Sequence, residues 1–335
     1  MMDMNAPRVL VIVLNYRTAE MTLRAAAAAL ADMPQGAELI LVDNASGDGS
    51  GVILQNAITA KGWDAQGRVR LILSAVNGGF GAGNNLGLAC AMSDGSAPDY
   101  FYVLNSDAFP DPGCLSSLIA HLQNHPKAGF AGSHVRGEDD LDHCTAFRFP
   151  SIAGEFEGAA RLGVMTRLLA GSVVAPALPQ TSAKVDWVAG ASVLIRARML
   201  REIGVFDENF FLYFEETDLC KRASRAGWDC WYVPDSRVVH IGSVSTGMKN
   251  WQRMPAYWFQ SRQYYFLKNH SRPYAAAALL ARLAGGAIHH LRCAVSGRNV
   301  QDPSHFLRDL ARHGLGLLPR LARATPRHPA TEDRP

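Results

Sequence analysis

No two of the six cysteines stand in a Cys-x-x-Cys pair, which excludes a zinc ribbon or redox dithiol of that spacing. A chain of 335 residues builds a large core without disulfide staples, so the thiols read as reduced. Apolar stretches of membrane-spanning length are also missing, since a span needs about 20 predominantly apolar residues. The nearest approach, Tyr274–Val295, is alanine-rich and carries Arg282, His289, His290 and Arg292, which suits an interfacial or packed helix. No secretory leader is expected, because the apolar run from Val9 passes directly into polar Asn15 and Arg17. Internal repeats are lacking. With 48% hydrophobic and 19% charged residues, the composition excludes a disordered chain.

What is present is unevenly distributed. Residues 1–248 hold 19 Lys+Arg against 26 Asp+Glu, whereas residues 249–328 hold 13 against 2. An acidic front and a basic rear predict two regions with different tasks. We place the first over residues 1–248, a basic, aromatic-rich helical extension over 249–323, and a disordered Pro-rich tail over 324–335.

The front reads as alternating strands and helices. Residues 8–14, 38–42, 69–73 and 100–104 are apolar, β-rich runs, the pattern of strands buried on both faces. Helical stretches are expected over 18–31, Ser50–Ala60 and Asn84–Met92. This alternation predicts an α/β fold around a mostly parallel central sheet. Ligands of such sheets bind beyond the carboxyl ends of the strands. Those ends carry Asn15-Tyr16, Asp43-Asn44 and Asn105-Ser106-Asp107, so three strands deliver polar groups to one edge. Residues 134–182 read as irregular, with Glu138-Asp139-Asp140 as a solvated loop.

Between the third strand and the next helix runs Asn77-Gly78-Gly79-Phe80-Gly81-Ala82-Gly83-Asn84-Asn85. Its glycines allow backbone to approach a ligand closely, and its amides can meet an anion. Yet GxGxxG fails, because Asn84 or Leu86 stands where the last glycine belongs, and GxxxxGK[ST] is absent. The dehydrogenase and P-loop readings lose their support.

Two carboxylate constellations remain. Asn105-Ser106-Asp107 lies at a strand end, where one or two carboxylates suffice to hold a divalent cation on a diphosphate. Glu215-Glu216-Thr217-Asp218 lies ahead of a helix, after the aromatic stretch Phe206–Phe214. Acids favour a helix N-terminus for electrostatic reasons alone. The aromatic surround adds something else, because a carboxylate beside apolar rings holds its proton more tightly and suits a general base.

Taken as an ordered set, VIVLNY, LVDNASGDGS, NGGFGAGNN, LNSD, VDWVAGASVLIR, FDENFFLYFEETDLCKRASRAGW and VVHIGS carry a resemblance. The chain resembles the family 2 glycosyltransferases, inverting enzymes of the GT-A fold, and within them the bacterial rhamnosyltransferase-like branch. The likeness covers residues 8 to about 245. It implies that Asn15, Tyr16 and Asp43 hold the base and ribose of a nucleotide sugar. Asn77, Gly79, Phe80 and Asn85 would line the nucleotide-sugar pocket. Asp107, with Asn105, would bind a divalent cation, Mg2+ or Mn2+, on the diphosphate; Asn105 stands where the family usually has an Asp. Trp187 to Gly190 would wall the donor sugar and acceptor, with Glu215 beside them. Glu216 would be the catalytic base, Asp218 the second choice, and His240 a contact to metal or diphosphate.

The implied donor is a dTDP- or UDP-sugar, with rhamnose suggested by the branch. The implied acceptor is a glycan or polyprenyl-diphosphate-linked hydroxyl in cell-surface polysaccharide assembly. The rear, where Trp251, Tyr257, Trp258, Phe259, Tyr264, Tyr265 and Phe266 alternate with Arg253, Arg262, Lys268 and Arg272, would suit an anionic membrane surface or simple packing of a helical subdomain. A cytoplasmic protein, including one peripheral on the inner face of the membrane, is expected. No nucleic-acid motif accompanies the basic stretch, so that partner is not expected. Two alternatives stay open on the residues: a sugar nucleotidyltransferase, and a transferase-like binding module without chemistry.

Overall fold

The computed structural model describes residues 7–242 and 251–317. Its first half is a run of buried parallel strands. The aliphatic β1 (Val9–Asn15) pairs with β2 (Glu38–Asp43) across α1 (Ala19–Asp32), whose Ala25, Ala26 and Ala29 are small enough to lie flat on the sheet. Next come α2 (Ser50–Ala60), β3 (Val69–Leu73), α3 (Gly79–Leu88) and β4 (Tyr100–Asn105). β3 pairs parallel to β2, and β4 parallel to β1.

One helix departs from expectation. The glycine segment does not precede α3; it forms its first turns, five residues ahead of Asn84. Gly83 and Gly87 lie one turn apart and face β1. A Cβ at Gly83 would meet Leu14 at 2.5 Å, and one at Gly87 would meet Ile12 at 2.8 Å. The missing side chains therefore set how closely helix and sheet approach.

After β4 the sheet becomes mixed. β5 (Ala108–Pro110), α4 (Cys114–Asn124), β6 (Ala128–Arg136), β7 (Asp142–His143) and β8 (Ala146–Phe147) lead to α5 (Ile152–Ala160) and α6 (Gly163–Leu168). Then follow β9 (Ala183–Val185), β10 (Trp187–Val188), β11 (Ser192–Arg196), α7 (Ala197–Ile203), α8 (Glu215–Arg225) and β12 (Asp229–His240). Among the described residues the main sheet runs β3-β2-β1-β4-β11-β6-β12-β5, with β7 and β9 at its margins, and β8 pairs β10 separately. β11 lies antiparallel between β4 and β6, which ends the parallel half. Residues 134–182, expected to be irregular, thus contain two helices and short strands, although Glu138, Asp139 and Asp140 are exposed as expected.

The rear is helical: α9 (Ala256–Asn269), α10 (Arg272–Ser296) and α11 (Phe306–Leu317). Ser271 caps α10, Pro273 stands in its first turn, and Gly297 at φ 65° ends it. Its aromatics face inward. Tyr257, Phe259, Tyr265 and Phe266 are buried, and Tyr265 and Phe266 share a cluster with Phe210 and Phe214 from the segment before α8. The cations interleaved with them are engaged too: Arg253 with Asp309, Arg262 with Glu155, and Lys268 with Asp207 and Asp218. Those aromatics and cations are therefore packing, whereas Arg272, the remaining cation of the set, is exposed.

All six cysteines are free thiols. No helix among the described residues is long and apolar enough to cross a membrane. The expected boundary at 248 and the tail 324–335 fall outside the described residues.

Candidate active site

Parallel register aligns the strand ends. Asn15 pairs with Asp43 across β1 and β2, and Leu14 with Asn105 across β1 and β4. Beyond these ends lies a cavity of about 410 Å3. It gathers Tyr16, Asn77, Gly79, Phe80, Asn105 and Asp107 from the first half with Trp187, Gly190, Glu215, Glu216 and His240 from the second. Residues more than two hundred positions apart thus share one cleft.

Four expected residues do not line it. Asn15 and Asp43 sit behind its wall, where the Asn15 amide donates to Asp43 Oδ1 at 2.6 Å and to Ser46 Oγ at 3.1 Å. Asp43 also accepts Ser46 Oγ–H at 2.5 Å, so the pair fixes the turn after β2. Asn44, in that turn, reaches the cavity and donates to Asn77 Oδ1 at 2.9 Å and to Gly79 O at 3.1 Å. Asn85 is a clamp: its side chain donates to Phe206 O at 2.9 Å and accepts Phe206 N–H at 3.1 Å. Asp218 is fully buried and occupied by Arg222 Nε at 2.9 Å, Lys268 Nζ at 2.7 Å and Asn269 Nδ2 at 2.8 Å. A carboxylate held this way ties α8 to α9, and it lies outside the cavity lining.

The acid pair is delivered by strain. Tyr213 and Phe214 both lie in the left-handed region, at φ 69° and 70°, before α8 begins. Such conformations cost roughly 1–3 kcal/mol each and persist where surroundings enforce them. Here Phe80 N–H donates to Phe211 O at 3.0 Å and Ser261 Oγ–H to Leu212 O at 3.0 Å. Gly79 makes the first contact possible, because at φ 89° a Cβ there would stand 1.7 Å from the Phe211 carbonyl oxygen.

Glu215 and Glu216 then occupy the first turn of α8 and face the cavity. Each has one carboxylate oxygen, Oε2, buried without a hydrogen-bond partner among the described residues. Burial holds the Glu215 carboxyl well above the usual range, and the neighbouring Glu216 charge raises it further. Burial also raises Glu216, while its own backbone N–H and that of Gly190 oppose the shift. Both carboxyls thus hold protons more tightly than free ones, and the charge of one disfavours ionisation of the other. The cleft therefore holds two adjacent carboxyls with raised proton affinity.

A second cluster faces them. β5 pairs antiparallel with the end of β12, placing Ala108 opposite His240, and Ile241 N–H donates to Asp107 O at 3.1 Å. His240 Nε2 lies 3.0 Å from Asp107 Oδ1 and 3.3 Å from Asn105 Nδ2. One ring nitrogen cannot both donate to the carboxylate and accept from the amide. Turning the Asn105 amide about resolves this by bringing its oxygen inward. With the His240 ring proton on Nδ1, the Asn105 oxygen, the Asp107 carboxylate and the Nε2 lone pair converge as a donor set that would fit a divalent cation. Among the described residues no three His, Cys, Asp or Glu side chains form a metal cluster by themselves.

Trp187 pairs with Phe147 across β10 and β8, and the two rings stack with centroids 4.1 Å apart. Phe147 lines the cavity, as do Ser106, Phe211 and Tyr213, none of which the residue patterns had marked as site residues. Ser106 had a signal in its two polar neighbours. Phe147 had none, lying in a stretch without periodicity.

A mixed sheet whose strand ends and acid-bearing helix share one cleft is the architecture of the GT-A fold. The fold of a mannosyltransferase from Pyrobaculum calidifontis, solved with GDP-Man and Mn2+, is similar at a TM-score of 0.56 and 17% identity, over 94% of this chain and 81% of that one. GalNAc-T7, solved with UDP, GalNAc and Mn2+, is similar at 0.53 and 16%, over 95% of this chain and 59% of that one. The family model "Glycosyl transferase family 2" matches residues 9–168, and "Glycosyl transferase family group 2" matches residues 100–318. The chain belongs to glycosyl transferase family 2. It is 30% identical over 226 residues to the N-acetylglucosaminyl-diphospho-decaprenol L-rhamnosyltransferase of Mycobacterium tuberculosis, covering 62% of this chain and 68% of that protein. Against rhamnosyltransferase WbbL of Escherichia coli K12 it is 28% identical over 165 residues, covering 48% of this chain and 60% of that protein.

Proposed function

We propose that this glycosyltransferase moves rhamnose from dTDP-rhamnose, with inversion, to a hydroxyl of a polyprenyl-diphosphate-linked sugar in cell-surface polysaccharide assembly. The names of the two rhamnosyltransferase relatives support the sugar, and the decaprenol-linked relative supports the acceptor class. The observation that carries the chemistry is the Glu215–Glu216 couple, each with a buried Oε2 that lacks a hydrogen-bond partner among the described residues, in the same cleft as Asp107 and His240.

Glu216 accepts the proton of the acceptor hydroxyl as its oxygen attacks the anomeric carbon. The attack comes from the face opposite the departing diphosphate, so configuration inverts in one displacement and no covalent enzyme intermediate forms. Glu215, beside Glu216 in the cleft, hydrogen-bonds a sugar hydroxyl. Asp107 and His240, with Asn105, would hold a divalent cation, Mg2+ or Mn2+, which supplies positive charge against the leaving diphosphate. The Phe147–Trp187 stack offers an apolar wall to a sugar ring, and Tyr16, Asn44 and Asn77 stand at the nucleotide end. Asn15, Asp43 and Asn85 act through the backbone they fix.

Family membership sets the nucleotidyltransferase alternative aside. The orphaned carboxylate oxygens argue against a module without chemistry, since they cost stability and serve no packing purpose. Incubating the protein with dTDP-, UDP- and GDP-sugars, a polyprenyl-diphospho-N-acetylglucosamine acceptor and Mn2+ tests the reading. Release of dTDP with inverted product is expected. Release of another nucleoside diphosphate would replace the donor, and pyrophosphate release would overturn the reaction class.

A further inference from the structure

Among the described residues, α10 is covered on two sides and bare on the third. Gly285 faces α5, where a Cβ would come 2.6 Å from Phe156 O, and Gly286 faces Leu307 of α11 at 2.5 Å. The remaining side carries Leu280, Ala284, Ala287, Leu291 and Val295, all exposed. Leu280 is 62% accessible, Leu291 67% and Val295 82%. Spacings of three and four residues put them on one stripe, about 22 Å long at 1.5 Å per residue. No charged residue interrupts it.

The charge around the stripe selects what covers it. Between residues 251 and 317 the only acids are Asp302 and Asp309. Asp302 is engaged by Arg161 and His290, Asp309 by Arg253 and Arg308. Arg272 and Arg298, flanking α10, and Arg312 on α11 are exposed. The outer surface of the helical region is thus apolar and cationic, without a free acid among its described residues. A second copy packed stripe to stripe would bring these arginines against their own equivalents. An anionic lipid surface would neutralise them and take up the leucines.

We propose that the exposed face of α10 is a docking surface for an anionic phospholipid membrane, on which the helix lies flat. It deepens the lipid-linked acceptor reading and rests on that reading for its purpose: docking brings the cleft to the membrane carrying the acceptor. Its evidence is separate, drawn from the α10 surface alone.

The test is co-sedimentation of the full chain with vesicles of phosphatidylcholine and phosphatidylglycerol at 3:1, and with phosphatidylcholine alone. Wild type is expected to pellet with the anionic vesicles and to be released by high salt. Leu280→Glu/Leu291→Glu should weaken binding at least about tenfold. Arg272→Glu/Arg298→Glu, which leaves the stripe intact, should weaken it on anionic vesicles only. Donor hydrolysis without vesicles should stay at the wild-type level in both variants; its absence in wild type would count against the sugar-transfer reading and not against this face. Equal vesicle binding by wild type and Leu280→Glu/Leu291→Glu would overturn the proposal. So would failure of wild type to bind at low salt, or a wild-type dimer that those leucine substitutions dissolve.

Discussion

Glu216 in the cleft and Glu155 beneath the C-terminal helices are the same residue type in similarly apolar surroundings, with opposite fates. Burial pushes both carboxyls up. Around Glu155 that push is outweighed by Arg262, whose Nη2 lies 2.6 Å away, and by Arg282, so its carboxyl ends below the usual range. No cation among the described residues answers Glu216, and it stays raised. A buried carboxylate with a cation is architecture. One without a cation retains an appetite for a proton, at a cost in stability, and that cost marks where chemistry is done.

The contrast yields predictions that set one region against the other. Glu216→Gln should reduce turnover by roughly a hundred- to ten-thousandfold while donor binding, read by calorimetry, stays near wild type. Arg262→Met should act on the fold, because it leaves buried Glu155 to Arg282 alone at 3.3 Å and costs about 3–5 kcal/mol in denaturant unfolding. The protein that remains folded should retain its kcat.

Asp218→Asn should fall between these. It loosens the tie to Lys268 and Asn269, so kcat should fall by less than in Glu216→Gln, with the donor KM unchanged and partial rescue at lower temperature. A loss equal to that of Glu216→Gln, with unchanged stability, would return Asp218 to the reacting centre.

The smallest effect concerns pH and stability. Glu215 and Glu216 carry raised folded-state values, so the native state binds more protons than the unfolded chain above the ordinary carboxylate range. Their favourable contribution is complete below the unfolded value and is lost as pH rises through the folded one. The melting temperature of Glu216→Gln relative to wild type should therefore grow as pH rises from acid to neutral.

Much of this was legible in the residues, and the exceptions share a cause. β1 to β4 declared themselves through aliphatic runs, and the strand-end side chains of Asn105 and Asp107 fell where parallel topology requires. The start of α3 was hidden, because glycine signals a loop unless the bulk of Leu14 and Ile12 opposite is known. Asp218 read as chemistry because its neighbours in sequence are acids, while its neighbours in space, Lys268 and Asn269, lie fifty residues on. Composition left the rear aromatics open between surface and packing, because it cannot show that Phe210 and Phe214 share a cluster with Tyr265 and Phe266. Local pattern reveals strands and strand ends; it is silent on which charges meet.

The pH dependence of kcat/KM for sugar transfer tests the role of the unpaired acid most directly. An acidic limb lying above the ordinary carboxylate range and absent from the residual activity of Glu216→Gln is the predicted result. A limb at the ordinary carboxylate position, or one that persists after Glu216→Gln, would contradict it.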